Sequence, residues 1–392
     1  MRKYLFLLSF LIFLPLCAKP AEDRIWLEAK INGTPVKFAF DTGSSSTVLF
    51  PKTAERLGLK VTYALPDAKH PSGLSPMGMT EPFTLTTGTK SHEIRMRVVD
   101  IPPYMPMDCD GFVALGDMRQ SIFVINGSRL SLVETLPIDL KGWSKWKMIN
   151  FQGVLRFECT HEKEAAQIVI DTGNPSGVEF NQKRWERWRR EHAQQEATME
   201  AVYTPGYGLQ VREMFRAKSI SVAGLTFKDV PLSPAMPGKD VPLSPAVILL
   251  EKGIPDYDAV IGLFALTKLS LIIDGKNSVL YTRPVDHPTA EFSYNRLGAV
   301  FVPEDMEKAN DLIAHVSQGS PAHRAGIRDG DVLLKIDDLD ATHWRTDPKV
   351  LPLSRFWEKP AGTKLRLVLK RDGKEYEVTV TLRDLTSSAS TP

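Results

Sequence analysis

Cysteine, histidine and any surplus of charge are scarce in this sequence. Of 392 residues, three are cysteine and eight are histidine. Neither Cys109 nor Cys159 has the neighbours of a catalytic nucleophile, and His161-Glu162 has no second histidine at zinc-site spacing. No serine stands in a Gly-x-Ser-x-Gly elbow, which excludes hydrolases built on that turn. Long apolar runs are missing too. The run from Tyr4 to Leu16 follows Arg2 and Lys3 and is too short to span a bilayer comfortably. It reads as a secretory signal, residues 1–18, with cleavage after Ala18; Leu16 is too large for the lipobox that Cys17 would need. Removing that segment takes away Arg2 and Lys3, so the formal charge of +2 falls to 0 (2 − 2). No electrostatic case is left for nucleic acid or a membrane surface. The expectation is a secreted or periplasmic protein of bacterial type, without a stable membrane span.

What the chain does have is a repeat. Residues 38–50 read FAFDTGSSSTVLF and residues 168–180 read IVIDTGNPSGVEF. The two aspartates, Asp41 and Asp171, lie 130 positions apart (171 − 41), and Ser46, Val48 and Phe50 align without a gap on Ser176, Val178 and Phe180. Each copy is an apolar strand, an acidic turn and a second strand with one apolar face. A single copy would be an ordinary turn, since an unpaired buried carboxylate is costly. Two copies in register make an internal duplication in which each half offers one acid. The duplication continues downstream. FVALG at 112–116 and DAVIG at 258–262 each precede a strand and a hairpin turn, at Asn126-Gly127 and Asp274-Gly275.

These residues resemble an aspartic peptidase of the retropepsin/pepsin type, over roughly residues 22–285. The resemblance rests on Asp41-Thr42-Gly43, Asp171-Thr172-Gly173, and the hydrophobic-hydrophobic-Gly elements ending at Gly116 and Gly262. It implies an all-β fold, bilobal, with two acid-protease-like β-barrel lobes and an active-site cleft between them. The lobes are expected at 22–150 and 151–287. It also implies that Asp41 and Asp171 form the catalytic pair and hydrolyse peptide bonds through an activated water. Gly43, Ser44, Gly173, Gly116 and Gly262 would support them, and Thr42 and Thr172 would bond across the axis. No metal and no cofactor are called for, and one chain carries both acids, so a monomer suffices. Asn174-Pro175 departs from the usual Ser, Thr or Ala after Asp-Thr-Gly and bears on Asp171. A flap hairpin is expected over residues 76–100, turning near Thr87-Gly88 with Met77 and Met79 either toward substrate or, as is commoner for a Met pair, filling the core, and residues 207–230 form its counterpart in the second lobe.

After about residue 287 the pattern changes. VDHPTAEFSY reads as a linker. Gly319-Ser320-Pro321-Ala322, Ala325-Gly326-Ile327 and Gly330-Asp331-Val332-Leu333 follow, then a hairpin over 365–382 turning at Asp372-Gly373. This resembles a PDZ domain, residues 290–388. The resemblance implies that the Leu297-Gly298-Ala299 loop holds a peptide C-terminus through backbone N–H groups while the peptide adds as a strand. Such domains also follow trypsin-like serine peptidases, but no serine here has a Gly-Asn-Ser-Gly-Gly setting. The rival reading is a peptidase-like scaffold that binds peptides without cutting them.

Three features take a structural reading. Residues 181–200 form a helix that docks Trp185 and Trp188 on the second lobe. KDVPLSPA, at 228–235 and 239–246, is a tandem duplication in a Pro-rich loop. Cys109 and Cys159 are either a disulfide or two free thiols.

Overall fold

A computed structural model describes residues 24–385, apart from 45–46, 64–77, 100–107, 138, 152–153, 162–163, 205–207, 236–256, 286–291, 306–308 and 348. The segment read as a signal, Met77 and the second KDVPLSPA copy lie outside the described residues. The chain is built from strands, in a nine-stranded sheet, a twelve-stranded sheet and a six-stranded sheet.

The duplication is visible in the strands. TPVKFAFD and EAAQIVID form Thr34–Asp41 and Glu164–Asp171, each ending on its aspartate. Each has a parallel neighbour, Gly111–Ala114 or Ala259–Gly262. That pairing sets Asp41 opposite Ala114 and Asp171 opposite Gly262. The register corrects one expectation. Ala114, not Gly116, holds in the first half the place that Gly262 holds in the second. Gly116 falls two residues later, inside a 3-10 turn at Leu115–Met118.

The closing hairpins of the two halves join one another. Ile122–Asn126 pairs antiparallel with Leu269–Asp274, Val124 facing Ile272, so the strands that end each half make one continuous ladder. Phe123 of this ladder packs against Phe40 with ring centroids 4.8 Å apart and planes tilted by 32°. A single apolar core runs from Leu27 and Phe38 in the first half to Ile170, Phe227 and Leu271 in the second. Two lobes that share a ladder and a core hold their aspartate-bearing ends in fixed relation.

The hairpin expected as a flap is present, but it does not cover the aspartates. Phe83–Thr87 pairs with Lys90–Ile94 around Gly88 at the outer edge of the nine-stranded sheet. Its Thr86 faces Lys30, whose partner Pro35 precedes Asp41 by six residues (41 − 35), about 20 Å along a strand. Thr89 beside the turn reaches Glu134, at 3.4 Å. A second hairpin, Val61–Tyr63 with Gly78–Thr80, carries Met79, which is 39% exposed. The connection between its strands, 64–77, lies outside the described residues. In the second lobe Gly208–Val222 and Leu225–Pro234 form the expected long hairpin. The helix expected over 181–200 covers only Gln182–Glu191, because Thr198–Thr204 is drawn into a strand beside Gly208–Val222. Trp185 and Trp188 do dock, both on Phe215.

The C-terminal unit has its own core, from Leu297 to Leu382. Ser320 caps the short helix Pro321–Arg324, and Asp372 and Gly373 both take positive φ in the turn of the last hairpin. The segment read as linker is partly packed. Phe292 meets Phe264 of the second lobe edge to face, ring centroids 5.1 Å apart, and Tyr294 is buried.

One repeated device locks each aspartate strand. Asp110 Oδ2 accepts from Lys37 N–H at 2.8 Å, four residues before Asp41. Asp258 Oδ2 accepts from Gln167 N–H at 2.8 Å, four residues before Asp171. The remaining oxygens take Arg56 at 2.6 Å and Arg184 at 2.9 Å respectively. Arg184 is buried and Arg56 is half exposed. Removing a carboxylate from a buried charged partner costs more than removing it from an exposed one. Asp258→Ala is therefore expected to cost about 2–3 kcal/mol and Asp110→Ala about 1 kcal/mol in urea melts.

Candidate active site

Asp41 and Asp171 end equivalent strands, and the structure brings them to one place. An ideal Cβ built on Gly43 would stand 2.2 Å from Asp171 Cγ, and one on Gly173 would stand 2.4 Å from Asp41 Cγ. Each carboxylate thus lies directly on the opposite loop's glycine, where no side chain fits. This is the physical use of the glycine in each Asp-Thr-Gly triplet.

The threonines hold this approach. Thr42 Oγ donates to Ile170 C=O at 2.6 Å and accepts from Thr172 N–H at 3.1 Å. Thr172 Oγ donates to Phe40 C=O at 2.6 Å and accepts from Thr42 N–H at 3.1 Å. The four bonds cross between lobes, and both threonines are fully buried. Each hydroxyl uses its donor and an acceptor position, so no polar atom is left to pay a desolvation penalty there.

Within each loop the carboxylate is oriented by the backbone. Asp41 Oδ1 accepts from Gly43 and Ser44 N–H, both at 2.9 Å. Asp171 Oδ1 accepts from Gly173 at 2.9 Å and Asn174 at 3.1 Å. The Asn174-Pro175 departure therefore leaves the bond to Asp171 in place. The Asn174 side chain turns instead to Ser176 N–H, at 3.0 Å.

Neither aspartate is fully exposed. Burial pushes Asp171 well above the ordinary aspartate range, and Asp41 and Glu179 push it further. Burial raises Asp41 as well, against the pull of the Gly43 and Ser44 N–H groups and of Arg24. Two carboxylates in contact hold one proton between them to higher pH than either would alone.

Some site residues had no clear mark in the sequence. Arg24, just ahead of the first strand, donates from Nη1 to Gly173 C=O of the other lobe at 3.3 Å. Nothing in its neighbours signals this. Glu179 did have a signal. It stands where the repeat has Leu49, a core residue, so a charge replaces a buried leucine. Its partner is Arg212 Nη2 at 2.6 Å.

The loop expected to hold a peptide C-terminus is closed within the chain. Leu297 and Gly298 N–H both donate to Asn295 Oδ1, at 2.9 and 3.1 Å, and Leu297 and Ala299 are fully buried. Asn295 Nδ2 bridges Ala299 C=O and Met199 C=O of the second lobe, and Thr198 Oγ donates to Asn295 C=O. Glu196 takes both terminal nitrogens of Arg383 at 2.7 Å. Cys109 and Cys159 are free thiols.

An acid raised in the fold binds its proton more tightly folded than unfolded. Stability then falls as pH climbs from the ordinary 3.8 of an aspartate through the pair's own range. Asp171→Asn removes this penalty. Its advantage over the parent in thermal melts should be small near pH 4 and grow as pH rises through the pair's range toward about pH 8. A constant difference across that range would contradict it.

A comparison with curated proteins gives no match. Residues 27–102 match the family model for aspartyl protease, covering the Asp41 loop, and residues 312–371 match that for a PDZ domain. The chain is therefore similar to a retropepsin-like aspartyl protease at its N-terminal end and to a PDZ domain, a peptide-binding module, at its C-terminal end.

Proposed function

We propose that this protein is a secreted or periplasmic aspartic endopeptidase in which Asp41 and Asp171 act as one catalytic pair. The observation that carries the reading is the crossed threonine lock, which presses each carboxylate against the other lobe's glycine. A structural turn would not need both acids in contact at that cost.

The chemistry follows from one shared proton. The ionised carboxylate takes a proton from a water molecule as its oxygen adds to the scissile carbonyl carbon. The protonated carboxyl gives its proton to the carbonyl oxygen, forming a neutral gem-diol. Collapse of the gem-diol breaks the C–N bond: one hydroxyl returns its proton to the carboxylate that had given it, and the amine leaves with the proton just taken from water. No covalent intermediate with the enzyme forms. The N–H bonds from Gly43, Ser44, Gly173 and Asn174 fix the inner oxygens and so the direction of the outer ones. Because burial raises both aspartates, the falling limb of activity is expected above the ordinary aspartate range.

The test is cleavage of a mixed peptide library by the purified chain between about pH 3 and about pH 8, beside Asp41→Asn and Asp171→Asn. Activity in the parent is expected to drop at least about 10³-fold in each variant. Activity that survives both substitutions removes the mechanism, and a folded parent that never cuts points to the binding scaffold.

The PDZ unit would contribute by holding a peptide terminus at Leu297, Gly298 and Ala299. A carboxylate arriving there meets donors already used by Asn295. Asn295→Ala should therefore tighten binding of a fluorescent C-terminal peptide by about tenfold, roughly the 1.4 kcal/mol of one displaced hydrogen bond. Unchanged or weaker binding, measured by anisotropy, would place the peptide elsewhere.

A further inference from the structure

The two halves are equivalent at the aspartates but not behind them. Behind Asp41 the second strand of the repeat carries Leu49, fully buried and apolar. Behind Asp171 the equivalent position is Glu179, 6% exposed. Glu179 Oε1 meets Arg212 Nη2 at 2.6 Å, and Arg212 Nε meets Glu200 at 2.7 Å. Arg212 Nη1 donates to Pro234 C=O at 2.7 Å. Two acids and one base are thus closed into a triad whose arginine is 4% exposed.

The triad is tied to the aspartate loop. Ser176 Oγ donates to Glu179 Oε1 at 2.9 Å, Ser176 N–H donates to Asn174 Oδ1, and Asn174 N–H donates to Asp171 Oδ1. Strand register agrees. Glu179 faces Val260, two residues from Gly262, which faces Asp171. A buried ionic triad is no more stabilising than apolar residues of the same size, and the first lobe shows that leucine serves at this position. The charge needs another explanation.

The surrounding charges have a direction. Arg24 bonds to Gly173 C=O, whose residue lies against the Asp41 carboxylate, and lowers Asp41, while Glu179 acts on Asp171 and raises it. Burial first, then Glu179 and Asp171, push Tyr257 up to about 12, so it stays neutral. Arg156 stands over its ring at 5.9 Å. Arg212 stays cationic, raised by its two acids, and burial raises Glu200. A cation near one carboxylate and a fixed anion near the other separate two groups that the duplication made alike.

We propose that Glu179, held by Arg212 and Glu200, is a positioning residue that keeps the shared proton on Asp171 and leaves Asp41 as the ionised member. This rests on the reading of Asp41 and Asp171 as a proton-sharing pair. It goes further by assigning their roles. Asp171 would donate to the carbonyl oxygen and Asp41 would take the proton from water.

The experiment uses the full chain with one aspartate left at a time. Thermal melts across pH report the remaining carboxylate's titration in Asp41→Asn and in Asp171→Asn, each with and without Glu179→Gln. Glu179→Gln is expected to lower the titration of Asp171 by at least about half a pH unit and that of Asp41 by clearly less. It should also move the alkaline limb of kcat/KM to lower pH by a similar amount. Equal shifts for both aspartates, or none, overturn the proposal, as does a fall in kcat with the pH profile unmoved. The melts need no activity. A chain that cuts nothing but shows the unequal shifts would refute the peptidase reading while supporting the assignment of the proton. Should Glu179→Gln not fold, Glu179→Leu with Arg212→Met restores the first lobe's apolar arrangement and enters the same comparison with the same expected inequality.

Discussion

The crossed bonds of Thr42 and Thr172 are the constraint on which the rest depends. Each hydroxyl reaches a backbone carbonyl one residue before the opposite aspartate and accepts the opposite threonine's N–H. These bonds sit in a dry place, where an unsatisfied donor is expensive. They leave little freedom in how the lobes meet, and the carboxylates above them must come together. The shared ladder of Ile122–Asn126 and Leu269–Asp274 supplies the second anchor. One apolar core beneath both lobes keeps the two anchors in register. The close approach of the two carboxylates is then a consequence of backbone geometry, which holds them together against the repulsion of like charges.

Symmetry brings the acids together, and departures from symmetry give them different surroundings. The first lobe places Leu49 where the second places Glu179, and Ser44 where the second places Asn174. Arg24 leans across to Gly173 from one side only. The C-terminal unit adds a further asymmetry by docking on the second lobe. Its seam runs along Glu196, Ala197, Thr198 and Met199. The next residue, Glu200, is the outer acid of the triad. The docking seam and the outer acid of the triad therefore lie along one short stretch of chain, residues 196–200.

The Asp110 and Asp258 clamps show how much of such a site lies in its supports. Both receive an N–H four residues before the aspartate and hold a basic side chain as well. They were open to detection, since each directly precedes an apolar strand of the repeat. Their meaning was not, because a surface Asp-Gly or Tyr-Asp pair reads as a turn until the N–H it accepts is known.

The sequence by itself determined the duplication, the two acids and the strand class. Those follow from local alternation and from a repeated tripeptide whose residues have few substitutes. It also marked the hairpin turns at Asn126-Gly127, Asp274-Gly275 and Asp372-Gly373, which are local backbone preferences. Tertiary structure decided what depends on contacts distant in the chain. It set Ala114 rather than Gly116 opposite the first aspartate, because a ladder's register is chosen by core packing over the whole strand. It put the 83–94 hairpin at a sheet edge, away from Asp41, because Phe83–Thr87 pairs with Trp26–Ile31. It drew Thr198–Thr204 out of the expected helix, since a strand partner outweighs local helix propensity. And it closed the Leu297-Gly298 loop on Asn295, whose amide is held both by Ala299 C=O of its own unit and by Met199 C=O of the second lobe.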